Sequence, residues 1–383
     1  MSESIASYFE NALGAKPEAV SRAPGRLEIL GNHTDYNEGL VLSAAVGQAT
    51  EFAIRRKPGR KCTMRDFRDG SVVEFDLDNI ETPVKGDWTN YVKGVIVQLR
   101  KRGYDIGAFD GAIHSTVPLS AGMSSSAALE ISACFAFSKV FGITLDGSEW
   151  ARLGQAVENK YMGVNTGLLD QFSSVYGEKN SLIYCDFRKV SVLRTVKMPP
   201  GCVIVVANSM IKHNLVDSEY NERRESCENA ARVLKTTYPE VKALRDVTPE
   251  MLENAKKTLD RRDYMRAAHV VGENDRVVRG VAALEAGDIS SFGKMLYESH
   301  KSSVSNFENS CPELDCLVEL STSLPGCLGA RLSGGGFGGI SIHLVEADAA
   351  PEYSERLKTA YRLRTGKETE TIICSIGEGA SVK

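Results

Sequence analysis

The amino-acid sequence predicts a globular protein of two lobes that contain both helices and strands. Its 383 residues are enough for two or three domains, at about 150 residues per domain. A hydrophobic content of 42% and a charged content of 25% are typical of folded chains and argue against disorder. The chain changes character near Pro199, Pro200 and Gly201. This change predicts a first lobe over residues 1–198 and a second over residues 199–383.

The first lobe mixes strand-like and helix-like patterns. Residues 125–140 are apolar around most of the helix circumference, which predicts a buried helix. A second helix is predicted over residues 151–162, where apolar residues recur every four positions. Composition and alternation predict strands at residues 27–30, 40–46 and 111–117.

Amphipathic helices dominate the second lobe. Their predicted starts are marked by residues that commonly cap helices, namely Asp217 with Ser218, Thr248 followed by Pro249, and Asp288. Two strands are predicted as well, over residues 202–207 and residues 340–345, the second directly after a glycine-rich loop.

Charge and cysteine usage exclude several classes of protein. With 46 basic and 50 acidic residues the formal charge is −4, which gives no reason to expect nucleic acid or an anionic membrane as partner. No apolar run approaches the roughly 18 residues of a spanning helix, and the first residues lack a secretory pattern. The nine cysteines are scattered and predict reduced core residues. We therefore expect a cytoplasmic protein, and a monomer.

A serine-rich segment over residues 117–128 is the first candidate site. A predicted strand leads through small residues into the buried helix, whose N-terminal N–H groups and dipole suit a phosphate. The hydroxyls of Ser124, Ser125 and Ser126 could bind phosphate oxygens or Mg²⁺; a plain capped helix start is the alternative. The sequence has no Gly-x-x-x-x-Gly-Lys-Ser/Thr motif, so it is not a P-loop protein.

The glycine-rich loop over residues 333–339 matches Gly-x-Gly-x-x-Gly at Gly334, Gly336 and Gly339. A dinucleotide-binding loop must follow a strand and open a helix. Here the loop opens a predicted strand instead, which argues against a nicotinamide-dependent dehydrogenase. A tight turn beside the serine-rich segment fits the sequence better.

Charged residues near two further segments could carry chemistry. Arg26, His33 and Asp35 belong to a strand followed by a densely polar turn, which could be a solvated loop or could hold sugar hydroxyls. Glu158 lies on the second predicted helix, where a solvated face is the simplest interpretation. Asp170 has apolar neighbours and needs a charged partner.

In this order, the segments resemble the galactokinases, a family of the GHMP small-molecule kinases. The resemblance runs nearly end to end and is carried by five motifs, at residues 24–37, 117–128, 167–172, 217–224 and 330–339. It implies a two-lobed α+β fold with the active site between the lobes. It also implies phosphorylation of the anomeric C1 hydroxyl of galactose or a close relative by ATP, which gives the sugar 1-phosphate and ADP.

The resemblance assigns a role to each matching residue. Asp170 would accept the proton of the C1 hydroxyl, and Arg26 would hold Asp170 ionised and stabilise the transferring phosphoryl group. Ser126 and Glu158 would bind Mg²⁺. The phosphates of ATP would lie on Ser120, Ala121, Gly122, Met123, Ser124, Ser125 and Ser126. The sugar would contact Asn32, His33, Thr34, Asp35, Gly167 and Tyr220.

Several residues depart from the family pattern. Asn32 stands where the family has a glutamate that accepts a hydrogen bond from the C6 hydroxyl. A neutral amide there would weaken binding of that hydroxyl by about 1.5–3 kcal/mol. We therefore keep open a substrate altered at C6, such as galacturonate, or one lacking C6, such as arabinose. Smaller departures occur at Ser120, Met123, Thr166 and residues 305–307, the last without a physical explanation in the sequence.

A protein of another class is also conceivable, namely a regulator that binds sugar and ATP without catalysis. The loss of Arg26, Asp170 or the serine-rich segment would favour it. All three are present, so an active sugar kinase is the better interpretation.

Overall fold

The computed structural model describes residues 3–118, 122–211 and 216–383, with side chains from residue 219 onwards in the last range. Within these ranges the strands are β1 (Ala19–Leu30), β2 (Leu40–Arg56), β3 (Lys61–Asp66), β4 (Val72–Asp76), β5 (Phe109–Ser115), β6 (Ser181–Asp186), β7 (Ser191–Lys197), β8 (Cys202–Asn208), β9 (Cys327–Ser333), β10 (Ile340–Glu346), β11 (Glu370–Cys374) and β12 (Ser381–Val382). The helices are α1 (Ile5–Leu13), α2 (Asn90–Lys101), α3 (Ser125–Phe141), α4 (Gly147–Ala156), α5 (Leu169–Tyr176), α6 (Val216–Thr237), α7 (Pro249–Asn254), α8 (Arg261–Glu285), α9 (Ile289–Ser302), α10 (Pro312–Ser321) and α11 (Ala350–Thr365).

The first sheet has the strand order β12-β1-β2-β5-β3-β4, and β6 pairs with β2 and β7. The β1–β2 ladder shifts register between Pro24 and Arg26 and again between Glu28 and Leu30. Such bulges re-aim side chains. Because successive side chains of a strand alternate in direction, Arg26 and Glu28 project to one face, while Leu27 enters the core.

Helix α3 packs on β1 and β2 and confirms the predicted buried helix. Its small residues, among them Ala127, Ala128, Ala133 and Ala136, are fully buried, so the helix lies close to the sheet. The helix begins directly after Ser124, whose backbone is left-handed with φ of 56°.

The second predicted helix is interrupted. Helix α4 ends at Ala156 and continues as a π-helical turn, Val157–Met162, which ends at left-handed Gly163. The wider turn carries Glu158, which is buried rather than solvated. π-turns are frequent at functional sites.

The second sheet is antiparallel, with the order β11-β8-β10-β9. The glycine-rich loop connects β9 to β10, and α9 packs on β9 beside α8. One hydrophobic cluster contains residues from both sheets and from α9, for example Leu27, Ile204, Phe292, Leu296 and Ile342. The two sheets therefore share a core, and loops from both meet at its edge.

The predicted boundary between residues 198 and 199 falls between β7 and β8, where the chain passes from one sheet to the other. The last strand crosses back, because Ser381 and Val382 of β12 pair with Arg22 and Ser21 of β1. The final residues of the predicted second lobe thus belong to the first sheet.

Several local predictions have clear outcomes. The side chains of Thr248 and Asp288 accept the capping hydrogen bonds of α7 and α9, as expected. Helix α6 begins at Val216, before the predicted caps Asp217 and Ser218, whose side chains lie outside the described residues. All nine cysteines are free thiols. Among the described residues, no helix is long and apolar enough to cross a membrane.

Candidate active site

Two adjoining cavities lie between the sheets and share Arg26, Asp170, Gly334 and Gly335. The carboxylate cavity is lined by Arg26, Glu28, His33, Asp35, Gly163, Val164, Asn165, Thr166, Gly167, Leu169, Asp170, Tyr220, Asn221, Gly334 and Gly335. The glycine–serine cavity is lined by Arg26, Gly122, Met123, Ser124, Ser125, Ser126, Asp170, Ile211 and residues 333–339. The serine-rich and glycine-rich segments therefore face one cavity, as the sequence predicted.

Asp170 lies where the two cavities meet, in the first turn of α5. Its Oδ1 accepts a hydrogen bond from Arg26 Nε at 2.8 Å and lies 2.7 Å from Arg26 Nη2 in the same ion pair. Its Oδ2 accepts one from the Ser124 hydroxyl. Arg26 is buried, and its Nη1 donates to the carbonyl of Gly122 at 2.6 Å. The predicted charged partner of Asp170 is therefore Arg26, and the pair fixes the carboxylate at the junction.

Glu158 forms a second polar group beside the junction. Its Oε1 accepts from the Ser126 hydroxyl at 2.9 Å and its Oε2 from the Thr166 hydroxyl at 2.6 Å. Burial, and next the charge of Asp170, raise the pKa of Glu158. Hydroxyl and carboxylate oxygens are donors that suit Mg²⁺. A cation at Ser126 and Glu158 would offset the repulsion between the two carboxylates, so the predicted pair fits a magnesium ion.

Asp35 forms the far wall of the carboxylate cavity. It begins a short 3₁₀ turn, and its carboxylate lies directly on the backbone of Gly167, where a Cβ atom would be 1.6 Å from Oδ2. Only glycine fits at position 167. Burial, and next the charge of Glu28, raise the pKa of Asp35 to about 6.

His33 lines the carboxylate cavity as a neutral imidazole, and both of its ring nitrogens have hydrogen-bond partners in the protein. Its Nε2 lies 3.1 Å from the carbonyl of Gly335, which can only accept, so Nε2 carries the proton and Nδ1 accepts from the Tyr36 hydroxyl at 2.9 Å. Burial, and next the charge of His269, lower its pKa to about 3. The ring packs between Tyr220, at 5.2 Å between centroids, and Phe307, at 4.5 Å. Phe307, from the segment at residues 305–307, thus packs behind His33 and holds it in the cavity wall.

Two residues expected to contact the sugar do not line the cavity. Asn32 is fully buried, and its Nδ2 donates to Glu28 Oε1 at 2.7 Å and to the carbonyl of Gly334 at 2.9 Å. Its Oδ1 accepts from Asn309 Nδ2 at 3.1 Å. The hydroxyl of Thr34 lies within hydrogen-bonding distance of two backbone carbonyls. Because both side chains make their hydrogen bonds to other protein groups, they stabilise the turn and do not contact the cavity.

The turn at residues 31–32 is anchored by α8. Glu273, also fully buried, accepts from the backbone N–H groups of Gly31 and Asn32, both at 2.9 Å. Burial alone would raise the pKa of Glu273, but the nearby charges of Arg276 and Arg331 and the hydrogen bond from the backbone of Asn32 hold it below the usual range. An ionised carboxylate with several donors is a strong anchor.

The residues of the serine-rich segment that were predicted to contact the phosphates of ATP differ in their positions. Ser120 and Ala121 lie outside the described residues. Gly122 and Ser124 adopt left-handed backbones, and Ser124, Ser125 and Ser126 face the glycine–serine cavity. Met123 also lines this cavity, while its side chain packs in the core.

The sequence interpretation missed two features. Glu28 lines the carboxylate cavity; its position two residues after Arg26 on one strand was the available signal. A third cavity, the aromatic cavity, is lined by Thr50, Arg68, Trp88, Tyr91, Ile113, Ser115, Ser125, Ser126 and Leu129. It shares Ser125 and Ser126 with the glycine–serine cavity, and no sequence motif marked its Trp88 and Tyr91.

Family models match three parts of the chain. They are the galactokinase galactose-binding signature at residues 7–56, the GHMP kinases N terminal domain at residues 90–178 and the GHMP kinases C terminal at residues 281–363. The chain is 39% identical to the galactokinase of Roseiflexus sp. (strain RS-1), covering 97% of this chain and 94% of that protein. It is 37% identical to the galactokinase of Chloroflexus aggregans over 98% and 96%.

Solved structures give the same assignment. The galactokinase of Lactococcus lactis, crystallised with galactose, superposes with a TM-score of 0.92 at 32% identity and covers 98% of each chain. The mevalonate kinase of Methanococcus jannaschii, at 18% identity and a TM-score of 0.67, shares the fold. The resemblance stated from the sequence is thereby confirmed: the chain belongs to the galactokinase family of the GHMP kinases.

Proposed function

We propose that this chain transfers the γ-phosphoryl group of ATP to the C1 hydroxyl of galactose. The observation that carries the proposal is the position of Asp170, held by Arg26 and Ser124 where the two cavities meet. A sugar in the carboxylate cavity and phosphates in the glycine–serine cavity would both reach this carboxylate. The choice of galactose as the substrate rests on the relatives, which are named galactokinases.

The sugar would bind among carboxylates and backbone groups. Sugar hydroxyls need paired donors and acceptors in a rigid frame, and Asp35, Gly167 and Tyr220 line the cavity around the space that a sugar would fill. The same walls disfavour galacturonate, because Glu28 and Asp35 would repel its additional carboxylate. The relatives favour galactose over arabinose as well.

The nucleotide would extend through the two remaining cavities. Its phosphates would lie on the start of α3, where N–H groups, the helix dipole and the hydroxyls of Ser124 and Ser125 favour anions. Its base would enter the aromatic cavity, which is lined by Trp88 and Tyr91 and shares Ser125 and Ser126 with the glycine–serine cavity.

Transfer would be driven by positioning and by neutralisation of charge. Asp170 accepts the C1 proton as the C1 oxygen bonds to the γ-phosphorus and the bond to the ADP oxygen breaks. The guanidinium of Arg26 stabilises the charge on the transferring group. Ser126 and Glu158 would hold Mg²⁺, which when bound neutralises the charge of the phosphate oxygens.

The proposal is tested by a coupled assay of ADP release with galactose, galacturonate, arabinose, N-acetylgalactosamine and glucose. We expect the highest kcat/KM with galactose. A higher kcat/KM with any other sugar would contradict the assignment of the substrate. Binding of galactose and ATP without turnover would instead establish the non-catalytic regulator.

A further inference from the structure

Glu28 is a buried carboxylate with one committed oxygen and one free oxygen. Only 6% of its side chain is exposed. Its Oε1 accepts hydrogen bonds from Asn32 Nδ2 at 2.7 Å and from Arg331 Nη2 at 3.0 Å. Among the described residues, none donates a hydrogen bond to Oε2, although Glu28 lines the carboxylate cavity. The free oxygen therefore faces the space in which the sugar is proposed to bind.

An acceptor that lines a cavity and has no protein donor is well placed for a ligand that supplies one. The free oxygen of Glu28 is held in this state by neighbours that cannot move easily. Arg331 is fully buried and also donates to the carbonyl of Ile29 at 3.1 Å. Asn32 is fixed from its other side by Asn309 and from its backbone by Glu273. The carboxylate is thus preorganised, and a substrate hydroxyl would satisfy its remaining oxygen.

We propose that Glu28 is a specificity-determining residue, whose Oε2 accepts a hydrogen bond from a galactose hydroxyl other than that at C1. The inference rests on the proposed function and assigns to Glu28 a contact that the sequence analysis had given to Asn32. Asn32 is then a positioning residue, which orients the carboxylate through Oε1. The C1 hydroxyl is excluded because it is placed at Asp170, which both Arg26 and Ser124 hold.

The variant Glu28→Gln makes the role testable. Arg331 and Asn32 both donate to the Oε1 position, so the amide oxygen of glutamine would take that place. Its NH₂ group would then replace Oε2 in the cavity, which converts an acceptor into a donor with little change of shape. The matched control is Glu130→Gln. Glu130 is fully buried and lines none of the three cavities, and burial raises its pKa well above the usual value.

The experiment measures kcat/KM and, by calorimetry, the Kd of galactose and of its 2-, 3-, 4- and 6-deoxy derivatives with wild type and both variants. In wild type, one deoxy sugar should bind about 10- to 100-fold more weakly than galactose, as loss of a hydrogen bond to a charged group predicts. In Glu28→Gln that ratio should fall to about threefold or less, while Glu130→Gln keeps the wild-type ratio. The ratio does not depend on the folded fraction of a variant.

A deoxy profile that is the same in wild type and Glu28→Gln would overturn the inference about Glu28 and leave the proposed function intact if wild type phosphorylates galactose. Wild type that neither binds nor phosphorylates galactose would overturn both. Wild type that binds galactose without turnover would overturn the proposed function alone, and the binding ratios would then still decide the role of Glu28.

Discussion

The two cavities that meet at Asp170 are built in opposite ways. The carboxylate cavity is walled by side chains that are themselves held by buried partners, such as Glu28 by Arg331 and His33 by Phe307. The glycine–serine cavity is made of loop backbone and hydroxyls, with left-handed residues at Gly122, Ser124 and residues 334, 336 and 337. Selection among similar sugars requires fixed acceptors, whereas phosphates are met by any properly directed N–H groups.

This contrast predicts different kinetic effects for mutations at Asp170, in the carboxylate cavity and in the aromatic cavity. Changes at Asp170 should affect turnover, and changes in the carboxylate cavity should affect the KM of the sugar. Changes in the aromatic cavity should affect the KM of ATP.

Asp170→Asn should lower kcat by at least about 100-fold, because general base and electrostatic roles are worth 10²–10⁴. Thermal unfolding should show a folded protein with cooperative melting. Asp246→Asn, which breaks a comparable ion pair of 2.7 Å with Arg188 outside the cavities, is the matched control. If kcat of Asp170→Asn stayed within tenfold of wild type, the junction would not be the site of transfer.

Gly167→Ala should raise the KM of galactose by about tenfold or more. The added Cβ would lie 1.6 Å from Asp35 Oδ2, so the carboxylate must move out of the cavity wall. The KM of ATP should change little. Gly107→Ala, where the Cβ would meet only Phe141 at 3.8 Å, should leave both values unchanged. An unchanged KM of galactose in Gly167→Ala would show that Asp35 does not contact the sugar.

Asn32→Glu should weaken both folding and sugar binding. The substitution places a second carboxylate against Glu28 Oε1 and the carbonyl of Gly334, where Asn32 now donates. We expect the free energy of unfolding to fall by about 2–4 kcal/mol, measured by denaturant titration. The exchange Glu28→Asn with Asn32→Glu should recover part of this loss, as a double-mutant cycle would show. A lower KM of galactose in the single variant would contradict this reading.

Trp88→Ala should raise the KM of ATP by about 5- to 10-fold, as loss of an aromatic contact to a base predicts. The KM of galactose should stay the same, because Trp88 lines only the aromatic cavity. Trp150→Ala, in the same lobe and in the core, should instead lower stability. A change in the KM of galactose alone would place the nucleotide elsewhere.

Asp35→Asn should change the pH dependence of stability. Since the folded pKa of Asp35 is raised from 3.8 to about 6, the folded state binds more protons than the unfolded state between these values. Stability contributed by the protonated carboxyl is therefore lost as the pH rises through this window. The variant should be more stable than wild type at pH 8 and similar at pH 4 in denaturant titrations. Equal differences at both pH values would contradict the raised pKa.

The sequence predicted those parts of the molecule that are encoded locally. The buried helix α3 follows from a continuous apolar run, and the caps at Thr248 and Asp288 follow from short-range hydrogen bonds. The burial of Asn32 could not be predicted in the same way. Its partners Glu273 and Asn309 lie 241 and 277 residues away in sequence, and no local pattern links them.

The same reason explains why the sequence could not predict the roles of Asn32 and Phe307. Asn32 was assigned to the sugar by its place in a motif, whereas in the folded chain Glu28 lines the cavity and Asn32 is buried behind it. Phe307 had no sequence explanation because its role, packing against His33 and His269 at 4.5 Å from each ring, exists only in the folded chain. The motifs thus predicted which segments line the cavities, whereas tertiary contacts determine which of their side chains face the cavity and which support it.

The most direct measurement is the identity of the product. The protein would be incubated with galactose, ATP and Mg²⁺, and the reaction followed by phosphorus and proton nuclear magnetic resonance. The account predicts ADP and a single sugar phosphate with the phosphorus coupled to the anomeric proton, and none with Asp170→Asn. A phosphate on another carbon, or ADP release without a sugar phosphate, would contradict the placement of C1 at Asp170.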